Sequence, residues 1–237
     1  MKIGIFTDTH YCKADVLCET RMPSLSLRKI CEAMEMFRRE DVDICVCLGD
    51  ITDHSPSDTK ESIAACLREA LSLIRSYEIP FFLVPGNHDY LATTRKGFES
   101  EGIKIPPYIH YAGGYRFIFL DANYRSDGRC FDTAGVEWTD SNLPEDQLRF
   151  LKEALEEATH PCIVLIHENL DPFVDALHIV KNAEEARKVI RESGKVKLVL
   201  QGHYHPGAER MIDNVTYITL SAMCEGTDNS YRILTLP

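Results

Sequence analysis

The 237-residue chain is poor in several things, and each shortage closes off a class of protein. No run of about 18 apolar residues is present, so no membrane-spanning helix is expected. The opening Met-Lys-Ile-Gly-Ile-Phe-Thr-Asp already reads as a strand and leaves no room for a signal peptide. Basic residues are outnumbered, 26 Lys and Arg against 37 Asp and Glu, for a net charge of -11. Binding to a nucleic acid duplex calls for a basic footprint, so nucleic acid is not the expected partner. An anionic substrate stays open, because bound cations can supply positive charge locally. The nine cysteines are odd in number and lack paired spacing, which argues against a disulfide framework. Cys45 and Cys47 lie within an apolar run and read as small core side chains. These features together predict a reducing, cytoplasmic setting. Linkers, repeats and low-complexity tracts are also missing, so residues 1–237 are expected to form one domain.

What is present alternates between strands and helices. Apolar runs at 2–7, 42–48, 81–84, 162–166 and 196–200 read as buried strands. Helical patterns fall at 25–39, 59–77, 144–158 and 183–193, the third with Pro144 in its first turn. In the first of these, Leu27, Ile30, Cys31, Met34 and Phe37 share one stripe. Gly113-Gly114 between apolar runs predicts a hairpin, and short strands follow at 208–212, 215–220 and 231–236. Residues 122–143 read as a long polar loop, and such loops are often functional. Trp138 within it, the only tryptophan, reads as an anchoring side chain, with stacking on a base as the alternative.

The polar residues that matter fall where the strands end. Five predicted strands terminate in Asp8-Thr9-His10, Gly49-Asp50, Gly86-Asn87-His88-Asp89, His167 and Gly202-His203-Tyr204-His205. Side chains at the carboxyl ends of neighbouring strands converge on one rim, the usual ligand site of open α/β sheets. Carboxylate, imidazole and amide donors suit borderline-hard divalent metals. No thiolate belongs to the set, although Cys12 is near, so a cysteine-type zinc site is not indicated. Any one piece could be a turn former or a satisfied histidine; five in order at strand ends point to a metal centre.

In that order, Asp8-x-His10, Gly49-Asp50-x-x-Asp53, Gly86-Asn87-His88-Asp89, His167 and Gly202-His203-x-His205 resemble the calcineurin-like metallophosphoesterases. The resemblance implies an α/β fold of the α+β kind, a four-layer sandwich of two mixed β-sheets face to face, flanked by helices. It implies one metal on Asp8, His10, Asp50 and His205 and a second on Asp50, Asn87, His167 and His203. It also implies that His88 lies beside the substrate phosphate, oriented by Asp53. Two metals about 3.5–4 Å apart hold a bridging water, whose hydroxide would attack phosphorus in line. His88 would then protonate the leaving oxygen. For Asp53 the competing reading is a turn cap, and for His88 a purely structural imidazole. Metal identity, among Mn, Fe, Zn, Ni and Co, is left open by a mixed oxygen and nitrogen donor set.

The block Gly49-Asp50-x-x-Asp53 continues into His54-Ser55, where phosphoprotein phosphatases of the family have Arg-Gly. The next block ends in Asp89 where theirs has Glu. The chain is more similar to the cyclic-nucleotide phosphodiesterases and manganese-dependent ADP-ribose/CDP-alcohol diphosphatases, including Ser26-Leu27-Arg28-Lys29 and Gly202-His203-Tyr204-His205-Pro206-Gly207. The expected substrate is therefore a small phosphodiester or nucleotide-type pyrophosphate. Tyr11, Arg21, Tyr90, Asn123 and Tyr204 are candidate substrate contacts, because they adjoin the motifs or lie in loops reaching the rim. A phosphomonoesterase, a nuclease and a non-catalytic metal-binding scaffold of the same fold remain the alternatives.

Overall fold

The structure is a computed structural model that describes all 237 residues. Its first half runs β1 (Lys2–Phe6), α1 (Ser26–Arg39), β2 (Ile44–Cys47), α2 (Lys60–Arg75), β3 (Phe81–Leu83) and two short helices, α3 (Asp89–Ala92) and α4 (Arg95–Ser100). The second half runs β4 (Tyr108–Ala112), β5 (Tyr115–Phe119), α5 (Phe131–Ala134), α6 (Glu145–Glu156), β6 (Cys162–Leu165) and α7 (Ala183–Ser193). It closes with β7 (Val196–Gln201), β8 (Ala208–Ile212), β9 (Val215–Thr219) and β10 (Arg232–Thr235).

The strands form two mixed sheets, ordered β10-β1-β2-β3 and β4-β5-β6-β7-β9-β8. In the first, β1, β2 and β3 are parallel and β10 is antiparallel to β1. In the second, β5, β6, β7 and β9 are parallel, with antiparallel β4 and β8 at the two edges. Strand alternation divides the side chains between two faces. Ile3, Ile5 and Val46 of one sheet meet Phe117, Phe119, Ile163, Leu165 and Leu200 of the other in a shared core. The opposite faces are covered by helices. Phe6, Cys45 and Cys47 pack under α1 and α2 through Ile30, Phe37, Leu67 and Leu71. Ile118, Val164 and Val199 pack under α6 and α7 through Leu151, Leu155, Ala186 and Ile190. This is the expected four-layer sandwich.

Gly4 shows how closely the outer layer approaches. A Cβ there would sit 2.6 Å from the Phe37 ring, so only glycine lets α1 lie this close to β1. The helix α2 is started by Thr59, whose hydroxyl accepts from the Ser62 N–H, while Ser62 accepts from the Thr59 N–H.

Three expectations need correction. Pro144 is the N-cap of α6, extended at ψ 156, and the first turn begins with Glu145. The supposed loop 122–143 carries α5 and a 3₁₀ turn at Trp138–Asp140. Helices α3 and α4 were not anticipated. Segments of four to six residues are too short to show a helical period, so only tertiary contacts reveal them.

Candidate metal centre

The carboxyl ends of β1, β2 and β3 face those of β6 and β7, so both sheets supply donors to one rim. The backbone there is unusual. Asp8, His10, Asp50 and His203 all have positive φ, at 50°, 47°, 52° and 67°. Side chains rarely adopt this left-handed region, although Asp and His tolerate it better than most. It turns each side chain back over the sheet end. Long-range bonds hold the conformation: Asp8 N–H donates to the Gly49 carbonyl and His10 N–H to the Asp50 carbonyl, at 2.9 and 3.0 Å. Gly49 is required for a separate reason. Its φ is +107°, and a Cβ would collide with the His167 ring.

Asp89 explains why the Asp50 turn keeps its shape. Its buried carboxylate accepts from the N–H groups of Asp50, Ile51 and Gly86 at 2.8–2.9 Å. Burial, reinforced by the Asp50 charge, pushes its pKa up to about 7 despite these bonds.

The donor atoms form two overlapping groups, Asp8–His10–Asp50 and Asp50–His167–His203, with Asp50 common to both. The Asp50 Oδ2 lies 3.6 Å from His10 Nε2 and 3.4 Å from His167 Nε2. His205 Nε2 lies 3.2 Å from His10 Nε2 and 3.6 Å from Asp8 Oδ1. Three imidazoles are aimed inward by partners behind them. His167 Nδ1 donates to the Leu48 carbonyl at 2.6 Å, which turns Nε2 toward the cluster. His205 Nδ1 faces Glu225 Oε1 at 2.6 Å, and His10 Nδ1 lies 3.1 Å from Asp53 Oδ2. Such outer partners fix ring orientation and tautomer at metal sites.

Four buried atoms converge here with no hydrogen-bond partner: Asp8 Oδ1, Asn87 Oδ1, His167 Nε2 and His203 Nε2. Buried polar atoms are almost always paired, so this concentration of orphans is what a cation site requires. The electrostatics agree. Burial opposes charge on Asp8 and Asp50, yet the surrounding imidazoles hold both well below the usual carboxylate range. Burial also opposes protonation of His10, but Asp53, Asp8 and Asp50 outweigh it and raise the ring to about 9. His203, buried beside His167, is driven well down. The cluster seeks positive charge, and the donor set fits two divalent cations.

Beside this cluster, Asp53 Oδ1 bonds His88 Nδ1 at 2.9 Å and also accepts the His54 N–H at 2.8 Å. Its Oδ2 takes Arg21 Nη1 at 3.0 Å. Orienter and turn-cap readings of Asp53 therefore both apply. Burial works against its ionisation, but bonds from His10 and His88 hold it well below the usual range. A cleft of about 620 Å³ opens over the cluster, lined by Asp50, Asn87, His88 and His203 and by Arg21 and Tyr204 from the substrate-contact candidates.

Three candidate substrate contacts are placed elsewhere. Tyr11 packs in the core beneath α1 and α2, its hydroxyl donating to Glu69 at 2.8 Å. Tyr90 is buried against Phe98 and donates to Asp121 at 2.6 Å. Asn123 is fully buried and donates to the Pro85 carbonyl. Adjacency to a motif does not fix direction: Tyr90 lies in α3, and Tyr11 and Asn123 follow the ends of β1 and β5, where the turn and not a strand period aims the side chain. Conversely, Glu225 and His178 reach the site without having been expected there, and Trp138 reaches it as the stacking alternative and not the anchoring one would place it. The only sequence signal was the length of the polar loop that carries Trp138.

The sandwich and the paired donor groups at its rim define a metal-dependent hydrolase. The chain belongs to the calcineurin-like phosphoesterases, whose family profile matches residues 1–207. A probable cyclic nucleotide phosphodiesterase from Fibrobacter succinogenes is 23% identical over 231 residues, covering 95% of this chain and 81% of that protein. The 3',5'-cyclic adenosine monophosphate phosphodiesterase CpdA of Vibrio vulnificus is 24% identical, covering 94% and 77%. Among solved structures, a dimetal phosphatase from Danio rerio superimposes with a TM-score of 0.85 at 20% identity, over 98% of this chain and 91% of its own. That likeness shows the fold, the two mixed sheets with flanking helices. GAP50, the anchor in the inner membrane complex of Plasmodium, shares it with a TM-score of 0.61 at 14% identity, over 97% of this chain and 75% of its own. The sandwich alone therefore does not fix a role. No helix is long and apolar enough to cross a membrane.

Proposed function

We propose that residues 1–237 form one catalytic domain that hydrolyses a small phosphodiester or nucleotide-type pyrophosphate at a dinuclear metal centre. The observation that carries this reading is the position of Asp50 Oδ2, within 3.6 Å of inward nitrogens on both sides. Asp8, His10, Asp50 and His205 would hold one cation, and Asp50, Asn87, His167 and His203 the other. When bound, the two cations supply charge for the phosphoryl oxygens and acidify a water nucleophile. Mn, Fe, Zn, Ni and Co all suit these donors.

The chain's own groups do the rest. Asp53 fixes Nδ1 of His88, so Nε2 is free to carry the proton that the leaving oxygen needs. Arg21 adds a permanent positive charge on the cleft wall, where a phosphate would gather. The names of the relatives support a nucleotide-like substrate. An overall charge of -11 argues against a nuclease. The nine free cysteines support the expected reducing, cytoplasmic setting.

Two measurements test the reading. Protein stripped with a chelator and reconstituted should take up about two metal equivalents by elemental analysis. One equivalent or none at saturation rejects the dinuclear site. The loaded protein is then screened against phosphomonoesters, cyclic nucleotides, nucleoside diphosphate conjugates and phosphopeptides. Faster turnover of phosphopeptides or simple monoesters than of every nucleotide overturns the substrate class.

A further inference from the structure

Trp138 is the only tryptophan, and the fold leaves the residue 37% exposed at the cleft instead of burying it. The indole belongs to none of the three apolar clusters that stabilise the sandwich. An anchoring role is therefore not what holds it there. The 3₁₀ turn at Trp138–Asp140 presents it, and that turn is tied down from both sides. Asp140 N–H donates to the Glu137 carbonyl at 2.8 Å. Asp140 Oδ2 accepts from the backbone and hydroxyl of Ser126 at 3.2 and 3.1 Å. The loop is thus held by its own polar contacts, and the ring keeps exposed apolar surface on the cleft.

Its neighbours define what that is. The Trp138 centroid lies 5.8 Å from the ring of His203, a candidate metal ligand, and 5.3 Å from His178. His178 in turn stands edge-on to Tyr204 at 5.3 Å. Three aromatic side chains therefore make one wall of the cleft, while Arg21 and His88 line the same space. A volume of about 620 Å³ falls within the usual range for small-molecule sites. A ligand whose phosphate reaches the donor cluster would have the indole beside it, 5.8 Å from the His203 ring. Exposed indoles beside phosphate sites gain most from a planar π-system, because every base has a face to stack whatever its edge.

We propose that Trp138 is the base-stacking residue of this cleft, with His178 and Tyr204 as its flanks, so that the enzyme prefers phosphoesters carrying a nucleobase. This deepens the phosphoesterase reading above and rests on it for the position of the phosphate.

Because the chain has one tryptophan, its emission reports this ring alone. The metal-loaded protein is titrated with 5'-AMP and, separately, with ribose 5-phosphate, each to saturation as judged by inhibition of turnover. AMP should quench or shift the emission, and ribose 5-phosphate should not. A kinetic comparison uses an adenosine cyclic phosphodiester and a base-free diester, glycerophosphoethanolamine. In Trp138→Ala the ratio of the two kcat/KM values should fall roughly 5- to 150-fold, the usual worth of one stacked base, and Trp138→Phe should restore most of it. AMP that inhibits competitively without touching the emission overturns the proposal, as does an unchanged ratio in the alanine variant. Failure of the underlying reading looks different: the unmodified enzyme would turn over neither diester. Quenching by AMP in that case would still place a base on Trp138, and its absence would overturn both.

Discussion

Glu225 Oε1 sits 2.6 Å from His205 Nδ1, on the side of the imidazole turned away from the metal cluster. The backbone that carries this carboxylate is itself held. The buried Lys29 ammonium binds the Glu225 carbonyl at 3.2 Å, together with those of Met223 and Gly226 at 2.7 and 2.9 Å. A helix α1 lysine thereby fixes a C-terminal loop that orients a candidate ligand. Removing such a partner usually lowers metal affinity about 10–100-fold. Glu225→Ala should show that loss at the site containing His205 and little change at the other, with the Gln variant intermediate. Competition titrations against a chromophoric chelator resolve the two sites. Two sites of undiminished strength would remove Glu225 from this role.

Asp50→Asn should do more harm than loss of any ligand to a single cation. Only Asp50 stands between both donor groups, and the change removes a negative charge from the centre of the cluster. Calorimetric metal titration should find both sites weakened. One site retained at full strength would mean that Asp50 is not shared.

His88→Ala should keep both metals, because the ring points to Asp53 and the cleft. The rate on an alkyl phosphodiester should fall about 10²–10⁴-fold, the usual size of a general-acid contribution. The loss should shrink on a nitrophenyl ester, whose leaving group needs no proton. Equal losses on the two substrates would exclude proton donation.

Glu168 makes a prediction about stability. Both of its carboxylate oxygens are buried without a partner. Burial, partly countered by His167 and reinforced by Asp121, raises its pKa from 4.5 to about 8. The folded value lies above the unfolded one, so the protonated acid favours folding. That contribution is complete below about 4.5 and is lost as pH rises through about 8. Glu168→Gln mimics the protonated form. In metal-free protein, urea midpoints for the variant should gain on the parent between about pH 5 and about pH 9. Parallel pH profiles for the two proteins would contradict the assignment.

Much of the site was legible because its signals are local. An apolar run stopping at Gly49-Asp50 or Gly202-His203 marks a strand end whose next side chain can turn back over the sheet. The two-sheet sandwich followed from the family motifs carried by those strand ends. The aromatic wall of the cleft was harder. Tyr11 and Tyr90 adjoin motif residues yet turn into the core, while Trp138 comes from a segment with no periodicity to read.

The sequence by itself determined which donors exist and that they stand at the ends of five buried strands, since strand period and turn chemistry depend only on neighbouring residues. It also determined the acidic balance and the single tryptophan. Only the tertiary structure decided that Asp50 Oδ2 lies between His10 and His167, and that His167 turns Nε2 inward by donating from Nδ1 to Leu48. The same holds for the Glu225–His205 contact and for the place of Trp138 beside His203. Each of these joins residues from different strands or loops, and His167 to Leu48 spans 119 positions. Such relations are set by the packing of one sheet on the other, which no local pattern encodes.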